Sequence, residues 1–297
     1  MNKGPLCVLA CYILWGLLPG FWRLLDALDP LYLLAVRILW ALIFTAALLA
    51  VMGKLSAVAA VFRDRRELLR LCAASVLICI NWGVFIWAVN SGHILDSSLA
   101  YYMNPILTVL IGTLVFRERL TRLQWLSVAI TALGLVIAML RFGRFPWAAV
   151  VIGGSFALYG TVKKGVSVDA ATSLLMETLI AAPPALAVAL WGGLHGGGAL
   201  SVLEGGQWLL LPLAGVVTSV PLLFFAYGIR RTPMTLAGII MYVNPTLQLL
   251  TGVIFFHEEF TATYGILFGF VWAGLALYLL SSWLEHQKHK EEAPPCA

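Results

Sequence analysis

Long apolar runs, separated by short segments that carry charge, glycine or proline, follow one another along the whole chain. A run of about 20 apolar residues is long enough to cross the hydrocarbon core of a bilayer as one helix. The pattern predicts ten spans, near residues 5–24, 32–52, 68–90, 95–116, 122–141, 145–163, 170–191, 207–228, 234–256 and 262–283. The predicted fold class is therefore an all-α polytopic membrane protein with ten transmembrane helices.

The second half of the chain repeats the first at an offset of 140 residues. Tyr-Met-Asn-Pro at 102–105 recurs as Tyr-Val-Asn-Pro at 242–245, and nine of the twenty positions from 102 to 121 are identical to their counterparts. Five spans in each half is an odd number, so the second copy inserts upside down. We predict a first repeat at 1–141, an inverted second repeat at 142–284, and a short, polar, disordered cytoplasmic tail at 285–297.

The charged residues set the expected orientation of the chain. With the N-terminus inside, fifteen Lys and Arg residues fall on cytoplasmic segments: Lys3, Lys54, Arg63, Arg65, Arg66, Arg70, Arg117, Arg119, Arg122, Lys163, Lys164, Arg230, Arg231, Lys288 and Lys290. Only Arg23, Arg141 and Arg144 fall outside. This positive-inside bias predicts a multi-pass protein with both termini cytoplasmic. It also accounts for the net charge of +5 without a nucleic-acid partner.

Two ionisable residues lie inside predicted spans, and they correspond across the repeat. Arg37 is in the second span and Glu177 is in the seventh, 140 residues apart. Charged groups at membrane depth are costly and usually face the protein interior. If both approach the midplane, they could bind the carboxylate and the ammonium of an amino-acid-like substrate. The alternative is a structural ion pair that fixes helix packing and contacts no ligand.

Polar and aromatic side chains at similar depth extend the candidate substrate site. An aromatic wall with few polar groups suits a small organic ligand, and the residues expected to form it are Trp15, Asn81, Trp82, Tyr102, Tyr159 and Tyr242. The two Asn-Pro pairs, Asn104-Pro105 and Asn244-Pro245, lie mid-span. Because proline removes a helical hydrogen bond, we expect symmetric kinks that serve as hinges beside a central cavity. A plain packing kink is the alternative.

Motifs for other kinds of chemistry are absent from the sequence. There is no H-E-x-x-H, G-x-S-x-G or G-x-x-x-x-G-K-[ST] motif. The five cysteines have no disulfide or zinc spacing. We therefore expect no enzyme activity, no cofactor and no metal site. A G-x-x-x-G match at Gly265 and Gly269 permits close helix packing within one chain or between chains, including a homodimer.

Several segments together resemble the RarD branch of the EamA group in the drug/metabolite transporter superfamily. They are Trp-Gly-Leu-Leu-Pro at 15–19, Arg-Ile-Leu-Trp at 37–40, Asn-Trp at 81–82 continuing to Asn90, Glu-Thr at 177–178 and Pro-Leu-Leu at 221–223. The resemblance implies a permease of the bacterial inner membrane that works by alternating access. The chain departs from the family in having Val36 where a histidine is common, and Asn244 where a glycine is common.

The predicted function is secondary transport of a small organic solute, amino-acid-like or an amphipathic metabolite or drug, across the lipid bilayer. One alternative is a non-transporting partner subunit held by its G-x-x-x-G face. Another is an intramembrane enzyme acting on lipid-linked substrates. Such an enzyme would need several catalytic carboxylates or histidines at one depth, whereas only Glu177 lies clearly inside a span.

Overall fold

The computed structural model describes residues 3–91, 94–142, 145–196, 198–256 and 262–292, and every regular element in these ranges is helical. The first half contains α1 (Lys3–Leu17), α2 (Pro19–Trp22), α3 (Pro30–Val51), α4 (Leu55–Arg63), α5 (Arg65–Asn90), α6 (Ile94–Leu114) and α7 (Arg122–Phe142). The second half contains α8 (Trp147–Lys164), α9 (Ala170–Leu194), α10 (Ala199–Val202), α11 (Leu210–Ile229), α12 (Met234–Met241), α13 (Val243–Phe256) and α14 (Ala262–Glu292).

The ten predicted passes are confirmed. They correspond to α1 with α2, then α3, α5, α6 and α7, followed by α8, α9, α11, α12 with α13, and α14. In the described ranges, eight helical stretches are long and apolar enough to cross a bilayer, and Leu99–Leu114 is a shorter apolar helix. α8 spans about 27 Å at 1.5 Å per residue but ends in two lysines. Large apolar side chains such as Val51, Leu140 and Leu194 face outward, as contact with lipid requires.

The last helix is longer than the sequence pattern indicates. The tail beginning at residue 285 was expected to be disordered, but α14 continues through it to Glu292. The final residues, 293–297, lie outside the described part of the chain. Polar residues such as Glu, Lys and Gln are good helix formers, so a polar composition does not by itself end a helix.

The helix starts follow the 140-residue repeat. Asp29 caps α3 by accepting the backbone N–H groups of residues 31 and 32, at 2.9 and 2.8 Å. Its counterpart Asp169 caps α9 in the same way. Asp64 caps α5, and its counterpart Glu204 caps the 3₁₀ turn that leads into α11. Because capping fixes where each helix begins, Arg37 and Glu177 each lie seven residues after the first residue of their helix.

Helix packing has the two-fold pattern expected of inverted repeats. α1 corresponds to α8, α3 to α9, α5 to α11, α6 to α12 with α13, and α7 to α14. The largest interfaces include α3 with α9 and α7 with α14, which are pairs that map onto themselves when the halves are exchanged. The contacts of α8 with α5 and α6 are matched by those of α1 with α11 and with α12 and α13. The two halves therefore interlock around one pseudo-two-fold axis.

The α7–α14 interface depends on small residues outside the G-x-x-x-G match. A Cβ atom on Gly134 would lie 2.4 Å from Cβ of Phe270, and one on Gly274 would lie 2.2 Å from Oγ1 of Thr131. The Ser127 hydroxyl donates to the carbonyl of Gly274 at 2.8 Å. By contrast, a Cβ atom on Gly269 would meet nothing within 4 Å. Close approach between these helices is thus set by Gly134 and Gly274.

We expect Gly134→Ala to destabilise the protein by about 1–3 kcal/mol, because an added methyl group must push α7 away from Phe270. The matched control is Gly269→Ala on α14, which adds the same methyl group in open space and should leave stability unchanged or slightly raised. Thermal unfolding in detergent, followed by tryptophan fluorescence, measures both. Equal melting temperatures for the two variants would contradict this account of the interface.

Candidate functional site

A buried ion pair joins α8 to α9. Nζ of Lys163 lies 2.5 Å from Oε1 of Glu177, and the two side chains are 1% and 3% exposed. Tyr159 donates its hydroxyl to Oε2 of Glu177 at 2.9 Å, and Ser173 donates to Oε1 at 2.8 Å. Tyr159 and Lys163 are one turn apart on α8, as Ser173 and Glu177 are on α9, so each pair shares one helix face. Both carboxylate oxygens therefore have partners within the protein.

The burial of Lys163 and its contact with Glu177 contradict two expectations from the sequence. It was counted among the cytoplasmic loop charges, but it is a buried residue at the end of α8. Glu177 was expected to face Arg37, but the cation it binds is Lys163. The sequence contained the signal in the four-residue spacing of Tyr159 with Lys163 and of Ser173 with Glu177. That signal shows only when the side chains of α8 and α9 are known to meet at this level.

A narrow cavity lies beside the ion pair. The space free of atoms there is about 350 Å³ when the open solvent at its mouth is counted with it, and its lining comes from α3, α5, α8, α9 and α11. Three of the predicted site residues, Trp82, Tyr159 and Glu177, line it together with Cys79 and Thr218. The Thr218 hydroxyl is buried and has no hydrogen-bond partner among the residues that the structure describes. Since buried polar groups are nearly always bonded, this hydroxyl is available to a ligand or a water molecule.

Arg37 is not among the residues that line this cavity, but it contacts the lining residue Trp82 and lies at a different depth from Glu177. Its guanidinium carbon lies 4.6 Å from the ring centroid of Trp82, which lines the cavity, and 5.3 Å from that of Trp22. Its Nε is buried and has no hydrogen-bond partner in the described part of the chain. α3 is 22 residues long, or about 33 Å. Arg37 and Glu177 each lie seven residues from the start of their helix, and these two helices start at opposite membrane faces. The two residues are therefore about 12 Å apart along the bilayer normal. The expected meeting at one depth is therefore not what this packing gives.

The other predicted wall residues hold helices together. Asn81 donates from Nδ2 to the carbonyl of Ile152 at 2.7 Å, which ties α5 to α8. Trp15 packs edge-on against Tyr12 and Phe156 at centroid distances of 5.5 and 5.6 Å, in an aromatic cluster that also contains Tyr159 and Phe225. These side chains therefore support the cavity from outside its lining.

Tyr102 and Tyr242, which correspond across the repeat, are in direct contact. The hydroxyl of Tyr242 donates to the carbonyl of Tyr102 at 3.4 Å, and both side chains are buried. Tyr102 packs edge-on against Phe268 at 5.4 Å. Counterparts can touch only close to the symmetry axis, so this contact locates the axis between α6 and the start of α13. Neither tyrosine is among the residues that line the cavity.

The two Asn-Pro pairs differ in their effect on the backbone. α6 remains helical through Asn104 and Pro105, whereas the second copy is divided, with α12 ending at Met241 and α13 beginning at Val243. The side chains of both asparagines bond one turn onward, from Thr108 to Asn104 Oδ1 at 3.3 Å and from Gln248 to Asn244 Oδ1 at 2.7 Å. Of the two predicted hinges, the structure breaks its helix only beside Asn244 and Pro245.

Glu118 bonds the first half of the chain to the second. Its carboxylate accepts the backbone N–H groups of Met234 and Thr235, at 2.7 and 2.8 Å, and the Thr235 hydroxyl at 2.8 Å. Lys164 lies 3.7 Å away. A carboxylate at a helix N-terminus satisfies free donors and complements the helix dipole. This role is not apparent in the sequence, because Glu118 stands between two arginines and resembles a solvated helix-end residue.

Glu67 makes a second bond between the halves at the same end of the bundle. Its Oε1 accepts the backbone N–H groups of Ser167 and Val168, at 2.6 and 3.2 Å. Both acceptors come from the first half and all four N–H groups come from the second. We call the contacts of Glu67 and Glu118 with these N–H groups the interhalf latch. It closes the end of the bundle where Lys163 and Lys164 lie.

The family profile described as the EamA-like transporter family matches the chain twice, at residues 2–140 and 146–280. The chain belongs to this family. An EamA protein named Uncharacterized transporter YojE, from Bacillus subtilis, is 41% identical over 284 residues and covers 94% of both chains. Protein RarD from Escherichia coli is 34% identical over 285 residues and covers 95% of both chains. These relatives confirm the resemblance to the RarD branch.

Two further comparisons concern another relative that is named RarD and a solved structure with a similar fold. Chloramphenicol-sensitive protein RarD from Pseudomonas aeruginosa is 30% identical over 287 residues, covering 95% of this chain and 94% of that protein. A solved structure, titled only as the crystal structure of a protein, superimposes with a TM-score of 0.71 over 94% of this chain and 98% of that one. At 18% identity this likeness shows the shared EamA fold and nothing about substrate.

Proposed function

We propose that this EamA protein is a secondary transporter that moves a small amphipathic organic solute by alternating access. The observation that carries the proposal is the cavity inside the helix bundle, where aromatic walls meet a buried charge pair. Apolar walls with a few convergent polar groups are typical of small-molecule sites. A buried ion pair contributes little to stability because removing its charges from water is costly. Ionisable side chains inside membrane spans therefore usually mark functional sites. The transporter names of its relatives agree with this proposal.

We further propose that the protein lies in the cytoplasmic membrane with both termini inside the cell. Removing buried Lys163 from the fifteen loop charges leaves fourteen, against three on the other side. The positive-inside bias therefore survives the correction. This orientation puts the interhalf latch on the cytoplasmic face, so the conformation described is closed towards the cytoplasm. Outward opening would require the halves to move while the latch holds, and inward opening would require it to break.

Proteoliposomes containing the purified protein provide the direct test. We expect solute flux across the liposome membrane for one or more compounds in a panel of amino acids, amphenicols and aromatic acids. Flux should saturate with concentration, and replacing Trp82 by alanine should reduce it at least tenfold because this residue forms a cavity wall. The matched control is Trp125→Ala, which should leave the flux unchanged because Trp125 is an exposed tryptophan on α7. Equal flux in protein-free liposomes for every compound would contradict the proposal.

A further inference from the structure

Arg37 carries a charge that no acidic side chain in the described part of the chain balances. The ion pairs there join Glu67 to Arg70, Glu177 to Lys163, and Glu118 to Lys164. Glu177, the acidic residue expected to balance Arg37, is already neutralised by a lysine. Among these deep side chains, the charge of Arg37 is therefore one excess positive charge, and it lies beside Trp82, which lines the cavity. A charge buried without a partner is unfavourable, so an arginine in this setting favours an anion beside it.

The geometry of Arg37 leaves its donors available. Its guanidinium lies near the rings of Trp82 and Trp22, and a tryptophan side chain has no hydrogen-bond acceptor to offer its N–H groups. The side chain of Tyr101 also lies near the guanidinium, but a protonated phenol is uncharged and does not balance the charge of Arg37. Nε has no acceptor although it is buried. Since all the N–H groups of a guanidinium lie in one plane, the free edge matches a carboxylate, which can accept two of them.

We propose that the substrate is an organic anion, recognised by its carboxylate at Arg37, with its apolar part in the cavity against Trp82 and Tyr159. The inference rests on the proposed function and narrows its substrate class. It differs from recognition of a zwitterion, because the charge of Glu177 is already neutralised by Lys163 and both of its oxygens accept hydrogen bonds within the protein. The unpartnered hydroxyl of Thr218 in the lining is a further polar contact for a ligand in the cavity.

Four compounds with the same benzyl skeleton and different charge test this inference: phenylacetate, phenylacetamide, phenylalanine and phenethylamine. Each is titrated into the detergent-purified full-length protein, with thermal stabilisation as the readout, because a ligand that binds only the native state raises the melting temperature. We expect phenylacetate to stabilise most and phenylalanine less. Phenylacetamide and phenethylamine should bind at least tenfold more weakly than phenylacetate. In Arg37→Gln the preference for the anion should disappear, and in Arg37→Lys it should weaken.

The native protein alone decides the outcome, so a variant that fails to fold does not obscure it. Preference for phenethylamine would overturn the inference and make Glu177 the receiving group. Equal binding of all four compounds, or no binding of any, would overturn it as well. The proposed function is tested separately, by flux of radiolabelled phenylacetate into proteoliposomes. Stabilisation by the anion without flux would uphold the anion site and count against transport.

Discussion

Replacing Lys163 by methionine is expected to lower the free energy of unfolding by about 3–5 kcal/mol, the largest loss we predict for a single side chain. Methionine has a similar shape and is apolar, so packing is largely kept. What is lost is the counter-charge of Glu177, whose side chain is only 3% exposed. The carboxylate would then remain buried with neutral donors alone, from Tyr159 and Ser173.

The double variant Lys163→Met with Glu177→Gln is the control for this prediction. It removes both charges, and replacing a buried ion pair by neutral residues is often tolerated. We expect it to recover most of the stability lost in the single variant. The measurement is unfolding in detergent for the two single variants, the double variant and the unmodified protein. Additive losses in this cycle would mean that the two side chains are not coupled and would contradict the ion pair as a link between α8 and α9.

The fold could be predicted well from the sequence because each span is recognisable from its own run of apolar residues. An apolar run of about 20 residues is typical of a helix in lipid, because a helix satisfies all of its backbone hydrogen bonds within the run itself. The repeat at 102–121 and 242–261 then gave the relation between the halves. The N-caps at Asp29 and Asp169 carried the same offset, and they show why Arg37 and Glu177 occupy equivalent places in their helices.

The candidate site was predicted only in part, because its contacts join residues that are separated in the chain. Trp82, Tyr159 and Glu177 were expected and do share one cavity. Lys163 was missed, since a lysine at the end of an apolar run looks like a loop charge. Glu118 was missed because its partners are backbone N–H groups 116 and 117 residues away, and backbone groups leave no mark in a sequence.

Depth was the other quantity that the sequence alone did not resolve. The offset of 140 residues makes Arg37 and Glu177 counterparts in the two halves. Because the second half is inverted, each residue lies at the same distance from a membrane face, but the two faces are opposite ones. They would share a depth only if each stood halfway along its helix. Seven residues from the helix start is well short of halfway, so the two residues lie on opposite sides of the midplane.

Glu118→Ala is expected to open the latched end of the bundle and to speed chemical labelling of Cys79 from that side. The substitution removes an acceptor for three hydrogen bonds between the halves. Hydrogen bonds to charged groups contribute about 1.5–3 kcal/mol each. If only about 3 kcal/mol of the total distinguishes the closed from the open conformation, the open population rises by about 100-fold.

Cys79 is a natural probe for this opening, because it lines the cavity and is partly exposed. The four other cysteines, at positions 7, 11, 72 and 296, would be replaced by alanine. Labelling with a membrane-impermeant maleimide is then compared in inside-out and right-side-out vesicles. With the proposed orientation, Glu118→Ala should accelerate labelling only in inside-out vesicles.

The matched control is Arg119→Ala, which changes an exposed residue next to Glu118 and should leave the labelling rate unchanged. Glu118→Gln keeps the shape of the side chain but loses its charge, so it should have an intermediate rate. Faster labelling of Glu118→Ala in right-side-out vesicles would place the latch on the outer face and reverse the proposed orientation. An unchanged rate in both kinds of vesicle would show that the contacts of Glu118 do not control access to the cavity.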